Sequence, residues 1–185
     1  MHYIKLKNFY FINKLNLKNL NKLNKNVSVI YRKYTGNIDE KEIIKIKNIC
    51  KKVGRKFFIS NNVKLALKLS LDGVYLPAFN KSLKHNVYGI RKDFKIIGSA
   101  HNIKEIKEKE AQGVKIIFIA SLFKVKKTFL GINKFNFLSN QTNSKIVALG
   151  GISHENIKKL NLVKIIGFAG ISYFEQKKTA PKRGR

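Results

Sequence analysis

Along this chain, short runs rich in Ile, Val, Phe and Tyr alternate with stretches in which apolar residues recur every third or fourth position. The strand candidates are NFYFIN (Asn8–Asn13), VSVIYR (Val27–Arg32), KFFIS (Lys56–Ser60), GVYL (Gly73–Leu76), KIIGS (Lys95–Ser99), KIIFIA (Lys115–Ala120), KIVALG (Lys145–Gly150) and KIIGFA (Lys164–Ala169). Most are continuous apolar runs, the pattern of strands covered on both faces of a parallel sheet. Between them, Ile43, Ile46, Cys50 and Val53 form one helical stripe, with Lys45, Lys47 and Lys51 opposite and Gly54 as its stop. Asn102 followed by Glu105 has capping-box spacing, so a helix is predicted from just after Asn102 to before Gly113. Ser153 is a candidate cap for a helix after KIVALG.

Eight βα units in 185 residues close most economically into one compact (β/α)8 TIM barrel, assigned to residues 1–175. An open doubly wound sheet is the alternative, and it usually needs fewer strands. The polar, basic end at 176–185 contains Pro181 and Gly184 and is predicted to be disordered.

Composition supports a globular reading: 44% of residues are hydrophobic and 11% aromatic, enough to close a core. The formal charge of +29 raises nucleic acid as a partner. Only Arg32, Arg55, Arg91, Arg183 and Arg185 carry the forked group best suited to phosphate and base contacts, while lysines are spread through every segment. That distribution favours a general compositional bias over a dedicated nucleic-acid surface, and a basic surface still attracts phosphorylated ligands. Cys50 is alone, which excludes an intrachain disulfide and suits a buried thiol in a reducing cytoplasm. There is no 18-residue apolar run and no signal-peptide core, so a soluble, unprocessed protein without a membrane partner is expected. Zinc-ligand spacing and a Ser-His-Asp constellation are both lacking.

In a barrel, chemistry belongs on the loops after the strands, and phosphate commonly sits after strands seven and eight. Those ends read GGIS (Gly150–Ser153) and GFAGIS (Gly167–Ser172). Glycine lets backbone N–H groups approach an anion, and a following helix start adds its positive end. One isolated glycine pair is better explained as a corner; two Gly-rich strand ends in consecutive units reverse that preference and favour an anion cup.

The succession FFISNNVKLALKLSLDGVYL, IIGSAHNIKEI, IFIASLF, LGINKF, IVALGGISHENI and GFAGIS resembles the thiamine phosphate synthase and thiazole tautomerase superfamily from about Asn8 to Phe174. The most specific elements are Asp72–Leu76, the cluster of Gly98, Ser99 and His101, and Gly150-Gly151-Ile152. The resemblance implies a (β/α)8 barrel that binds a thiazole phosphate. In the synthase, that compound is joined to an aminopyrimidine diphosphate with loss of pyrophosphate and with help from Mg2+.

Carried over position by position, it implies phosphate binding by Gly150, Gly151, Gly170 and Ile171, and catalytic positions at Arg32 and Ser99. Further ligand contacts fall at Ser60 and Asn61 and at Lys126, Lys127 and Thr128 in the loop after strand six. The family's Gln-x-Arg-x-Lys on strand two reads Ile30, Arg32 and Tyr34 here, with Lys33 one step away and expected on the opposite side. Its metal-binding carboxylates align with Asn61 and Asn80, so no metal ligand is assigned. The tautomerase histidine aligns with Ser121, and His101 is read as structural. The function implied is therefore a thiamine phosphate synthase-like transferase. The alternatives are a catalytically degenerate relative that only binds a phosphorylated thiazole or pyrimidine, and a nucleic-acid-associated basic protein.

Overall fold

In the computed structural model, which describes residues 6–124 and 129–175, eight parallel strands pair in chain order and the last closes on the first. They are β1 (Lys7–Ile12), β2 (Val27–Tyr31), β3 (Phe57–Ser60), β4 (Gly73–Leu76), β5 (Lys95–Ala100), β6 (Ile116–Ala120), β7 (Lys145–Leu149) and β8 (Gly167–Gly170). Closure sets Phe9 opposite Ala169 and Tyr10 opposite Gly170. This is the (β/α)8 barrel expected from the pattern, and an open sheet is ruled out.

Strand periodicity sorts the apolar residues into two layers. Phe9, Phe11, Ile30, Phe58, Tyr75, Ile97, Phe118 and Val147 fill the barrel, while Tyr10, Val29, Ile59 and Val74 face the helices. Inside, aromatic rings meet edge to face: Phe9 and Phe118 at 4.9 Å, Phe11 and Tyr75 at 5.3 Å, Tyr75 and Phe118 at 5.5 Å between centroids. Such pairs contribute about 0.5–1.5 kcal/mol each beyond area burial.

The outer layer comprises α1 (Leu17–Lys22), α2 (Glu40–Lys52), α3 (Val63–Lys68), α4 (Ile103–Ala111), α5 (Gly131–Ser139) and α6 (Ser172–Glu175). After β4 and β7 the connections carry 3-10 turns instead, at Lys84–Val87 and Ile157–Leu162. Ile43, Ile46 and Cys50 are buried as the stripe requires, and burial pushes the Cys50 thiol up to about 11. Val53 departs from it: as the residue that ends α2 it is 45% exposed.

Two other expectations are corrected. The last strand begins at Gly167, not Lys164. Ile165 and Ile166 precede it and are apolar because they pack, partly buried, against the outer and inner layers, with the Ile166 backbone bonded to Ile146 O and Lys7 N. Ser153 caps no helix; its own N–H donates to Asn156 Oδ1 at 2.9 Å, and the segment that follows is the 3-10 turn. Asn102 does cap α4, accepting from Glu105 N at 2.9 Å. Glu105 reaches back to the N–H of His101 at 2.6 Å, one residue earlier than the usual box. No helix among the described residues is long and apolar enough to cross a membrane.

Candidate functional site

At the C-terminal ends of the strands, two clefts meet on a shared floor. One, of about 890 Å³, runs over the ends of β6, β7 and β8 between His101, Ser121, Lys124, Gly150 and Gly151. The other, of about 1000 Å³, runs over the ends of β1 and β2 between Asn13, Lys14, Lys33, Tyr34 and Glu42. Phe11, Arg32 and Ile171 belong to both. Arg32 follows Ile30 on the inward parity of β2, and its guanidinium lies 4.7 Å from the centroid of the Phe11 ring. An arginine stacked on the top ring of the apolar interior places a permanent positive charge where the clefts join. Lys33 also lines the second cleft, although its Nζ is drawn to Asn37 O at 2.9 Å.

The paired glycines meet a steric demand that the sequence hid. Gly150 and Gly151 adopt φ of 96° and 70°, a region that L side chains rarely enter. A Cβ at Gly150 would collide with Ser121 Oγ, and one at Gly151 would come within 2.7 Å of the Phe123 backbone. So the strand end presses against the β6 loop, and glycine is needed first for that contact. The carbonyls are engaged there as well: Gly150 O accepts from Phe123 N at 3.1 Å, and Gly151 O accepts from Asn156 Nδ2 at 2.7 Å. The N–H groups of Gly150, Gly151 and Ile171 find no protein partner among the described residues. Gly170 lines the same cleft. The expected helix dipoles are weak, since a 3-10 turn follows β7 and the four-residue α6 follows β8. The donors this lobe presents are individual amides.

The ends of β3, β4 and β5 are built differently. Ser99 is buried, and its Oγ accepts from Ala78 N at 3.1 Å, so it holds the β4 loop rather than lining either cleft. Tyr75 lies beneath it inside the barrel, with its hydroxyl pKa raised by burial. Ser60 is 3% exposed, and its Oγ has no hydrogen-bond partner. Asn61, with φ of 60°, accepts through Oδ1 from Asn80 Nδ2 at 2.6 Å.

Asn80 is gripped from behind by a residue that sequence reasoning missed. Lys109 of α4 has no exposed surface, and its Nζ donates to Asn80 O at 2.6 Å and Gln112 Oε1 at 2.8 Å. Burial lowers its pKa to about 8. Its stem runs past Gly98, where a Cβ would sit 3.0 Å from Lys109 Cδ. His101 lines the first cleft and is tied to Glu105 at 2.9 Å through Nδ1. Lys126, Lys127 and Thr128 lie outside the described residues, as do residues 176–185.

Magnesium requires hard, charged oxygens. Where the family resemblance puts two carboxylates, this chain has two neutral amides bonded to each other. Among the described residues, no group of three His, Cys, Asp or Glu side chains could hold an ion. The residues do not fit the metal.

Fold and mouth together define a (β/α)8 barrel of the kind whose C-terminal loops receive small anionic molecules. The model of the thiamine monophosphate synthase family matches residues 21–174, and the chain belongs to that family. It is 30% identical over 132 residues to the thiamine-phosphate synthase of Methanococcus vannielii, a match spanning 69% of this chain and 64% of that protein. It is 33% identical over 131 residues to the thiamine-phosphate synthase of Prochlorococcus marinus, a match spanning 67% of this chain and 37% of that one. The chain thus spans less than two thirds of these relatives. The solved structure of thiamine phosphate pyrophosphorylase from Pyrococcus furiosus superposes with a TM-score of 0.72 at 19% identity, covering 91% of this chain and 86% of that one. That likeness extends the fold over nearly the whole barrel.

Proposed function

We propose that the protein binds a phosphorylated thiazole of thiamine biosynthesis in the cleft over β6, β7 and β8. The observation that carries this reading is the set of N–H groups at Gly150, Gly151 and Ile171. Their carbonyl neighbours are engaged inside the protein, and the amides line a cleft with Arg32 and Lys124. Amides held in place by packing bind an anion without the cost of ordering them first.

A second observation favours the full transfer reaction, in which the thiazole phosphate is joined to an aminopyrimidine diphosphate with release of pyrophosphate. The two clefts open onto each other at Arg32, so two phosphorylated ligands would share one guanidinium. A charge fixed there neutralises the leaving group as it departs. Lys126, Lys127 and Thr128 belong to this reading as further phosphate contacts.

The test is calorimetric titration of the purified protein with thiazole phosphate and with the dephosphorylated thiazole. Binding of the phosphate ester alone, abolished by Gly151→Asp, is the expected result, and equal affinity for both compounds would refute the anion cup. Adding the pyrimidine diphosphate and assaying for thiamine phosphate separates transfer from binding.

A further inference from the structure

We infer that this barrel holds its phosphoryl ligand without a divalent cation, the metal corner having been rebuilt as a closed network of amides anchored on a buried ammonium. The inference rests on the reading of the mouth as a phosphoryl site and concerns how the charge there is balanced.

The network leaves little oxygen to offer. Asn80 Oδ1 accepts from Ser82 N at 2.8 Å and from Gln112 Nε2 at 3.2 Å. A main-chain N–H can only donate, which fixes this amide's orientation and makes its Nδ2 the donor to Asn61. Asn61 Oδ1 is then the acceptor of that bond, at 2.6 Å. The remaining oxygen, Asn80 O, accepts from Lys109 Nζ at 2.6 Å and from Gln112 Nε2 at 3.0 Å. Each of these three oxygens is thus already an acceptor, and the unpartnered Ser60 Oγ is a neutral hydroxyl of a residue only 3% exposed.

Charge acts in the same direction. The Lys109 ammonium sits in direct contact with Asn80 in a buried setting, where a second cation nearby is repelled more strongly than in water. The rings of Tyr34, after β2, and Phe79, after β4, meet edge to face at 5.2 Å across the intervening end of β3. A hydrated magnesium ion, which keeps several of its waters, is poorly served by such a wall. Positive charge for a phosphoryl group is instead permanent, in Arg32, Lys33 and Lys124, which line the clefts.

Two measurements decide the matter. Inorganic pyrophosphate titrated into wild-type protein should bind no more tightly in excess magnesium chloride than in EDTA, whereas tightening by about tenfold or more would overturn the inference. Independently, manganese titrated alone and followed by electron paramagnetic resonance should show no saturable site in the wild type. A site should appear in Asn61→Asp/Asn80→Asp or, if that protein fails to fold, in Asn61→Asp. Saturable manganese binding by the wild type that Asn61→Ala removes would also overturn it. If pyrophosphate binds in neither buffer, the phosphoryl reading of the mouth fails, and the manganese experiment still decides whether the corner takes a metal.

Discussion

The lobe over β7 and β8 and the corner over β3 and β4 are both strand ends of one barrel, yet one presents backbone and the other side chains. In the glycine lobe, geometry is set by two positive-φ residues pressed on the Ser121–Phe123 segment, and the groups left without a protein partner are backbone amides that only proline would remove. In the amide corner, every function depends on side-chain identity, and a change from carboxylate to carboxamide rewrites the chemistry while the backbone stays in place. A family can therefore keep one half of a site through steric necessity and remake the other half.

Breaking the glycine lobe has the largest expected effect. Gly151→Ala forces an L side chain into the left-handed region, costing about 1–2 kcal/mol, and drives its Cβ into the Phe123 backbone. Urea unfolding should show a total loss of about 3 kcal/mol or more, and thiazole phosphate binding should vanish with it. A loss below about 1 kcal/mol would mean that the β6 loop yields and that the glycine is there for another reason.

The corner is probed through pH. The folded-state pKa of Lys109, about 8, lies below its ordinary 10.5, so between those values the unfolded chain binds more protons and stability rises with pH. The cost of keeping the ammonium buried, about 3 kcal/mol, is fully present below pH 8 and fades towards pH 10.5. Glu108 and Glu105 oppose the depression. Chemical denaturation of wild type and Lys109→Met across this window should show the wild type gaining on the variant. Parallel curves would assign the lysine an ordinary ionisation.

The smallest effect has the opposite sign. Ser60→Ala removes a buried hydroxyl without a partner and should stabilise the ligand-free protein by about 1 kcal/mol. A destabilisation instead would show that the hydroxyl is satisfied in solution.

Much of this could be read from the chain because parallel strands announce themselves: a run such as KIIFIA is apolar on both faces, since one face fills the barrel and the other meets helices. The same signal misplaced the start of β8, because Ile165 and Ile166 are apolar and partly buried just ahead of the first paired residue, Gly167. The glycine lobe was legible in position and only half legible in purpose, since the close approach of Phe123 exists only once β6 and β7 are neighbours. The resemblance implies a catalytic position at Ser99, and in the fold its hydroxyl holds Ala78, a partner twenty-one residues away that no local pattern reveals. Lys109 was invisible for a compositional reason. It sits one turn from Ile106 on the buried stripe of α4, but in a chain full of surface lysines it looks like another of them. The missing Cβ of Gly98 was the one available hint, and it needs the fold to be understood.

Phe11, finally, gives the protein a place for an optical reporter. It is the aromatic ring common to both clefts and lies under Arg32, while the sequence contains no tryptophan at all. A Phe11→Trp protein would carry a single indole at the junction of the clefts, so its emission could follow the filling of either one, in real time and against a dark background.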